Sequence, residues 1–202
     1  MRVNQFVGCI DFPCGDVRHA SYVVPGIDLE AEKVSIILIS EAAPADPKDF
    51  YYAGGEALFA QTTVQAFRDA GAEVANMQDI LALGVYLTTA IKCGKTGYGI
   101  QTSTIKECSL ILVKELELFP NVKALLLMGD VAIKAVNAIA ARAGEKRVIP
   151  AGSTYKIRGE EYYWRGMRVF PSYLQAAPSF FIEKSKRRMI AEDIAAALHM
   201  IR

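Results

Sequence analysis

Three short apolar runs, each leading into a segment of helical spacing, constrain this chain most strongly. The runs are Val34-Ser35-Ile36-Ile37-Leu38-Ile39-Ser40, Val85-Tyr86-Leu87-Thr88-Thr89-Ala90-Ile91 and Lys123–Met128. They are strand-sized and rich in β-branched or aliphatic residues. They lack the alternation of a strand with one wet face, so they read as strands buried on both sides. The helical segments are Leu58–Ala70, ending at Gly71, then Thr104–Phe119 and Val131–Ala143. Thr104 with Glu107 three residues on has the pattern of a capping box. Tyr155–Phe170 alternates, with a turn at Arg158-Gly159-Glu160, and reads as a hairpin or edge strand. Ser179–Ile201 reads as a closing helix capped by Ser179. Strands alternating with helices make an α/β fold whose parallel sheet is covered on both faces.

The chain's 202 residues suit one α/β domain, or two small ones at most. Hydrophobic residues make up 52% and charged residues 22%, which excludes disorder as a description of the whole. With 23 Lys+Arg against 22 Asp+Glu, the net charge is +1. Any basic face for a nucleic acid is therefore local. The first residues lack a signal-peptide core, and no apolar run is long enough to span a bilayer. The expectation is a cytoplasmic protein with no membrane partner, whose cysteines are not disulfides.

In open parallel sheets the ligand site lies off the carboxyl ends of the strands. That rule gathers the loop Glu41–Gly55, the glycine-rich loop Lys92–Gln101, the turn after Met128 and the loop after Phe170. Residues 1–33 form an irregular arm with two of the four cysteines, Cys9 and Cys14. The other two are Cys93, after the second strand, and Cys108, inside the next helix. Four thiolates are a ligand set for a [4Fe–4S] cluster or for a structural zinc. The plainer alternative is four unrelated, partly buried thiols.

Four stretches resemble the iron–sulfur (family 4) group of the uracil-DNA glycosylase superfamily. Ile39-Ser40-Glu41-Ala42-Ala43-Pro44 is similar to that group's Gly-Glu-Ala-Pro-Gly loop. Tyr86-Leu87-Thr88-Thr89-Ala90-Ile91-Lys92-Cys93 is close to its Tyr-x-Thr-Asn-x-x-Lys-Cys. Cys108 and then Leu125-Leu126-Leu127-Met128-Gly129-Asp130-Val131-Ala132 match a cysteine-bearing helix followed by an apolar strand ending in Gly-x-x-Ala. Phe170-Pro171-Ser172-Tyr173, with Asp193 in the closing helix, is similar to its Pro-Thr-Tyr-His-Pro-Ser segment. The resemblance covers the chain from about Cys9 to its end. It implies a single domain over residues 1–202: a three-layer α-β-α sandwich around a four-stranded, mainly parallel sheet, with 1–33 as the cysteine-bearing arm. It also implies a [4Fe–4S] cluster on Cys9, Cys14, Cys93 and Cys108, in preference to zinc. The Cys9–Cys14 spacing is wider than the group's usual one.

The implied activity is excision of a deaminated base from single- or double-stranded DNA by N-glycosidic hydrolysis, carried out by a monomer. That chemistry needs a base drawn from the stack, a placed water, and donors for the departing base. By resemblance Glu41 is the acid, with Asp46 and Asp49 as neighbouring alternatives. Ala42 and Ala43 border the pocket, and Phe50 or Tyr51 is the stacking ring. Two positions depart from the pattern. Thr89 replaces the base-reading asparagine and cannot make its two-point contact. The histidine's place falls to Leu174 or Ala177, so Tyr173, Gln175 or Ser172 would supply the missing donor. Lys184, Arg187 and Arg188 share one side of the closing helix, as a solvated face or as a phosphate-holding one. The departures equally fit a catalytically degenerate protein of the same fold that binds nucleic acid or a nucleotide. A sensor of some other small ligand is a third reading.

Overall fold

The structure is a computed structural model that describes residues 1–201. Its strands are β1 (Val17–Arg18), β2 (Ile36–Ala43), β3 (Val85–Lys95), β4 (Ala124–Met128), β5 (Tyr162–Trp164) and β6 (Met167–Ser172). Its helices are α1 (Leu58–Asp69), α2 (Met77–Ala82), α3 (Thr102–Leu116), α4 (Asp130–Arg142), α5 (Thr154–Ile157) and α6 (Lys184–His199). The strands form one sheet in the order β1-β3-β2-β4-β6-β5. Its inner four strands, β3-β2-β4-β6, are mutually parallel, while β1 and β5 add antiparallel edges. The sheet is thus six-stranded and mostly parallel, where four strands are expected. The edges are two and three residues long, too short to carry a periodic signal.

The unbroken apolar runs are explained by two cores. Ile37, Ile39, Tyr86, Leu125 and Leu127 pack with Ile105 and Leu112 of α3 and Val136 and Ile139 of α4. Ile36, Leu38, Leu87, Leu126 and Met128 pack with Phe67 of α1, Ile80 of α2 and Ile194 of α6. Successive residues of one strand point to opposite faces, so a strand covered twice is apolar on both and reads as a near-continuous run.

Several boundaries differ from the sequence pattern, each for a local reason. The hairpin turn lies at Arg165-Gly166, between β5 and β6, and Thr154–Ile157 is a short helix. Within that hairpin only β5 is an edge; β6 is an inner strand. Thr104 does not cap α3. The helix begins at Thr102, and the Thr104 hydroxyl donates to the Asp16 carboxylate. Ser179 lies in a 3-10 turn, Pro178–Phe181, and α6 starts only at Lys184. The strand β3 runs on through Lys95, into the segment that its glycines mark as loop. No helix among the described residues is long and apolar enough to cross a membrane.

Candidate functional site

A cavity of about 500 Å³ opens at the carboxyl ends of β2, β3 and β6. Glu41, Ala42 and Ala43, which the sequence pattern assigns to a loop but which end β2, line it with Pro44 and Ala45 of the following loop. Lys95 lines it from the end of β3, with Thr96, Gly97 and Tyr98 beyond. Leu174, Ala176, Ala177 and Pro178 follow β6, and Phe59 of α1 completes the wall. This is the size of a small-molecule pocket, with apolar walls and few polar groups. The Lys95 ammonium stands 3.3 Å from Glu41 Oε2, with side chains 31% and 16% exposed. Glu41 also borders a smaller adjoining cavity with Gly129, Asp130, Tyr173 and Lys186.

Two glycines shape this corner. Gly129, at φ +101°, precedes α4, and a Cβ there would stand 2.6 Å from Glu41 Oε1. The carboxylate therefore lies against the amino end of α4, where the helix dipole favours negative charge. Gly94 lets β3 pass close to the arm and the β2 loop. A Cβ there would stand 2.7 Å from Ser21 Cβ and 3.0 Å from the Pro44 carbonyl. The β2–β3 register shifts at Ala42/Ala43, and antiparallel pairing with β1 (Val17 with Lys95, Arg18 with Gly94) carries β3 on to Lys95.

The residues singled out by sequence separate into groups. Glu41, Ala42 and Ala43 line the cavity, and Tyr173 lines the adjoining one. Phe50 and Tyr51 are buried in the core and border neither. Tyr51 shares hydrogen bonds with Ser40 and with Gln175 Nε2 (3.1 Å), and burial pushes its phenol up. Thr89 is buried, and its hydroxyl donates to the Ile91 carbonyl (2.8 Å). Of the three candidate donors, Ser172 is buried and donates to Asp193 (2.5 Å). Gln175 is also buried, its Nε2 facing Ser40, Tyr51 and Thr63. Tyr173 alone reaches a cavity that Glu41 lines. Asp193 also accepts from Arg158 (2.7 Å), so it ties α5, α6 and β6 together.

Of the basic residues, Arg187 is bound to Asp69 of α1, and Arg188 stands 3.7 Å from Glu192. Lys184 is exposed, and none of the three lines either cavity. Sequence patterns single out neither Lys95 nor Phe59 nor Tyr98. Lys95 sits in a glycine-rich stretch that reads as loop, and Phe59 reads as one more apolar position of a helix.

The four cysteines are free thiols. Cys93 and Cys108 are buried, and Cys9 and Cys14 pack half-buried against the same core with Phe12 and Tyr22. The arm is held there by Asp16, which accepts from Gln101 N (2.7 Å) and from Thr104. Cys9 N donates to Tyr22 Oη (2.8 Å). Burial pushes the Cys93 thiol up to about 12, and the thiols of Cys108, Cys9 and Cys14 push the same way. Burial also raises Cys108, against the backbone N–H and the charge of Lys92. Among the described residues no group of three or more His, Cys, Asp or Glu side chains is placed to hold a metal ion. Beside Cys93 lies a buried ion pair, Lys92 with Glu115. Tyr86 and Thr88 donate to Glu115 Oε1 (2.7 and 2.8 Å), and Lys92 Nζ donates to the Thr89 carbonyl (2.6 Å).

A second cavity, about 530 Å³, lies between Tyr51, Tyr52, α1 and α2. Several of its polar side chains serve their own loops. Gln61 donates to Glu56 O, Gln65 to Asp69, and Arg68 to Val74 O. No protein-family profile matches the chain, and no curated protein matches it.

Proposed function

We propose that this chain is a DNA N-glycosylase of the uracil-DNA glycosylase type, excising a deaminated base. The fold is read as that superfamily's three-layer α-β-α sandwich, its inner four parallel strands being the sheet the resemblance implies. One observation carries the reading: Glu41 lines a mostly apolar cavity of about 500 Å³, room for a flipped nucleoside, at the carboxyl ends of the parallel strands. A flipped base needs such a slot. Phe59 and the alanines pack against its ring, and Glu41 orients water toward the sugar carbon. The departing base takes a hydrogen bond from Lys95, the cationic donor that lines the slot where the family histidine is missing. DNA is the partner, held as a single or double strand by a monomer.

Cys9, Cys14, Cys93 and Cys108 would hold a [4Fe–4S] cluster. Zinc draws four sulfurs to about 2.3 Å from a single ion. A [4Fe–4S] cluster takes the same four thiolates around a larger centre, and all four cysteines border one core where the arm meets β3 and α3. When bound, the cluster supplies a structural centre fastening the arm to β3 and α3.

A second reading is a catalytically degenerate protein that binds nucleic acid or a nucleotide. Thr89 favours it, because its hydroxyl is spent on the Ile91 carbonyl and reads no base. The test is base release by anaerobically purified protein, from single- and double-stranded oligonucleotides bearing uracil or hypoxanthine. Release abolished by Glu41→Ala supports excision. A folded, cluster-bearing protein that binds these strands and releases nothing establishes the second reading instead.

A further inference from the structure

A lysine amine next to a carboxylate, inside a cavity sized for a nucleoside, is equipped for chemistry beyond hydrolysis. Removal of a base leaves a deoxyribose whose ring-opened form is an aldehyde, and an amine condenses with an aldehyde. Among the described residues Lys95 is the one lysine lining the 500 Å³ cavity, with Nζ 3.3 Å from Glu41 Oε2. Its backbone is fixed as the last residue of β3, paired with Val17 of β1. The amine is thus presented by the sheet rather than by a loose loop, and its proton has an acceptor within reach.

We propose that Lys95 gives this protein a second activity, cleavage of the DNA strand at abasic sites through an imine, with Glu41 as the base. Lys95 Nζ, its proton passed to Glu41, attacks C1′ of the aldehyde. The C–N bond forms, the former aldehyde oxygen departs as water, and an iminium remains. A carboxylate then takes the C2′ proton. The electron pair of that C–H bond forms the C1′–C2′ double bond of an enamine while the C=N pair returns to nitrogen. The C=N bond then re-forms, the C1′–C2′ pair becomes the C2′–C3′ double bond, and the C3′–O bond breaks as the 3′ phosphate leaves with its electrons. Water hydrolyses the resulting imine, which frees Lys95 and an unsaturated aldehyde on the DNA. No oxidant or reductant takes part. The inference rests on the cavity being the place where a deoxyribose is held, not on base release.

The experiment uses the full chain and an oligonucleotide whose abasic site is made beforehand. Added cyanoborohydride reduces an imine to a stable amine, leaving a protein–DNA adduct that survives denaturation. The expected result is an adduct that peptide mass spectrometry places on Lys95, with strand cleavage when no hydride is added. Lys95→Arg keeps the charge beside Glu41 but cannot be deprotonated, so it loses both adduct and cleavage. Glu41→Gln, which can take neither the Lys95 proton nor the C2′ proton, forms the adduct more slowly and cleaves about a hundredfold more slowly. An adduct that persists in Lys95→Arg, or that maps to another amine, overturns the proposal. So does a wild-type chain that forms no adduct with the abasic strand. Adduct formation by a chain that releases no base overturns the excision reading alone.

Discussion

At the scale of single residues, the corner around Glu41 depends on an absence. Gly129 holds φ +101°, a region that side chains rarely enter, and leaves room for a carboxylate 2.6 Å from where a Cβ would be. Gly129→Ala is expected to destabilise the fold by about 1–3 kcal/mol through backbone strain. It also displaces Glu41, so ligand binding in the cavity falls by more than the stability loss explains. Urea unfolding and oligonucleotide titration on one preparation separate the two effects, and unchanged binding with lowered stability would refute the link. Lys92 makes a different point. It and Glu115 are both fully buried, and an uncompensated buried charge is costly. Lys92→Met is expected to lose about 3–5 kcal/mol. Lys92→Met combined with Glu115→Leu removes both charges and is expected to unfold at higher urea than the single variant. A double variant less stable than Lys92→Met would show that the Tyr86 and Thr88 hydroxyls depend on Glu115 more than the charges depend on each other. Glu41 was legible in the sequence because it follows an unmistakable buried strand. Lys95 was not, since pairing with the two-residue β1, invisible in composition, makes strand out of a glycine-rich stretch. Phe50 and Tyr51 show the converse. Three adjacent aromatics read equally as a stacking platform or as core, and only packing distinguishes them.

At the scale of elements, the inner strands were legible because burial on two faces makes them almost continuously apolar, buried polar residues such as Ser40, Thr88, Thr89 and Lys92 each being hydrogen-bonded. The edges β1 and β5 were not, being too short for a period. Helix starts were the least legible: Thr104 has the sequence of a cap, but its hydroxyl is taken by Asp16, 88 residues away in sequence. The basic stretch of α6 illustrates how tertiary partners reassign charge. Arg187 meets Asp69 of α1, and its hydrogen bonds hold the Asp69 carboxyl below its usual range. A group whose folded value is depressed stabilises the fold above its unfolded value of about 3.9, and that contribution fades as pH falls through the folded value. Asp69→Asn is therefore expected to lose about 0.2–1 kcal/mol at neutral pH, the range for a partly exposed ion pair. The gap from wild type should close as pH drops below about 4. Urea midpoints measured along that pH series test it; a gap that stays constant into acid would mean the loss is one of packing.

At the scale of the whole molecule, the arm is the part whose order most needs explanation. Both of its ends are fastened without any metal. Arg2 pairs with Asp28, Asn4 N donates to Pro25 O (3.2 Å), Val23 N donates to Lys92 O (2.8 Å), and Val3 is buried. Between them the stretch around Cys9 and Cys14 is thinly held, and Ile10 within it is 90% exposed. If four thiolates on one cluster complete the attachment, loading stabilises the folded state by mass action, about 2.7 kcal/mol when the group is present at a hundred times its Kd. For a chain of this size each kcal/mol moves Tm by about 2–4 °C, so stripping the cluster is expected to lower Tm by about 5–11 °C. The loss should also be local at first, because α3, β3 and the two cores remain packed without the arm's midsection. Limited proteolysis of stripped protein should cut first between residues 9 and 14, at a site the loaded protein protects. Calorimetry and proteolysis on matched loaded and stripped samples check both expectations. Equal Tm and identical cleavage patterns would mean that the thiols do not fasten the arm, and that Asp16 with its partners at the start of α3 holds it alone.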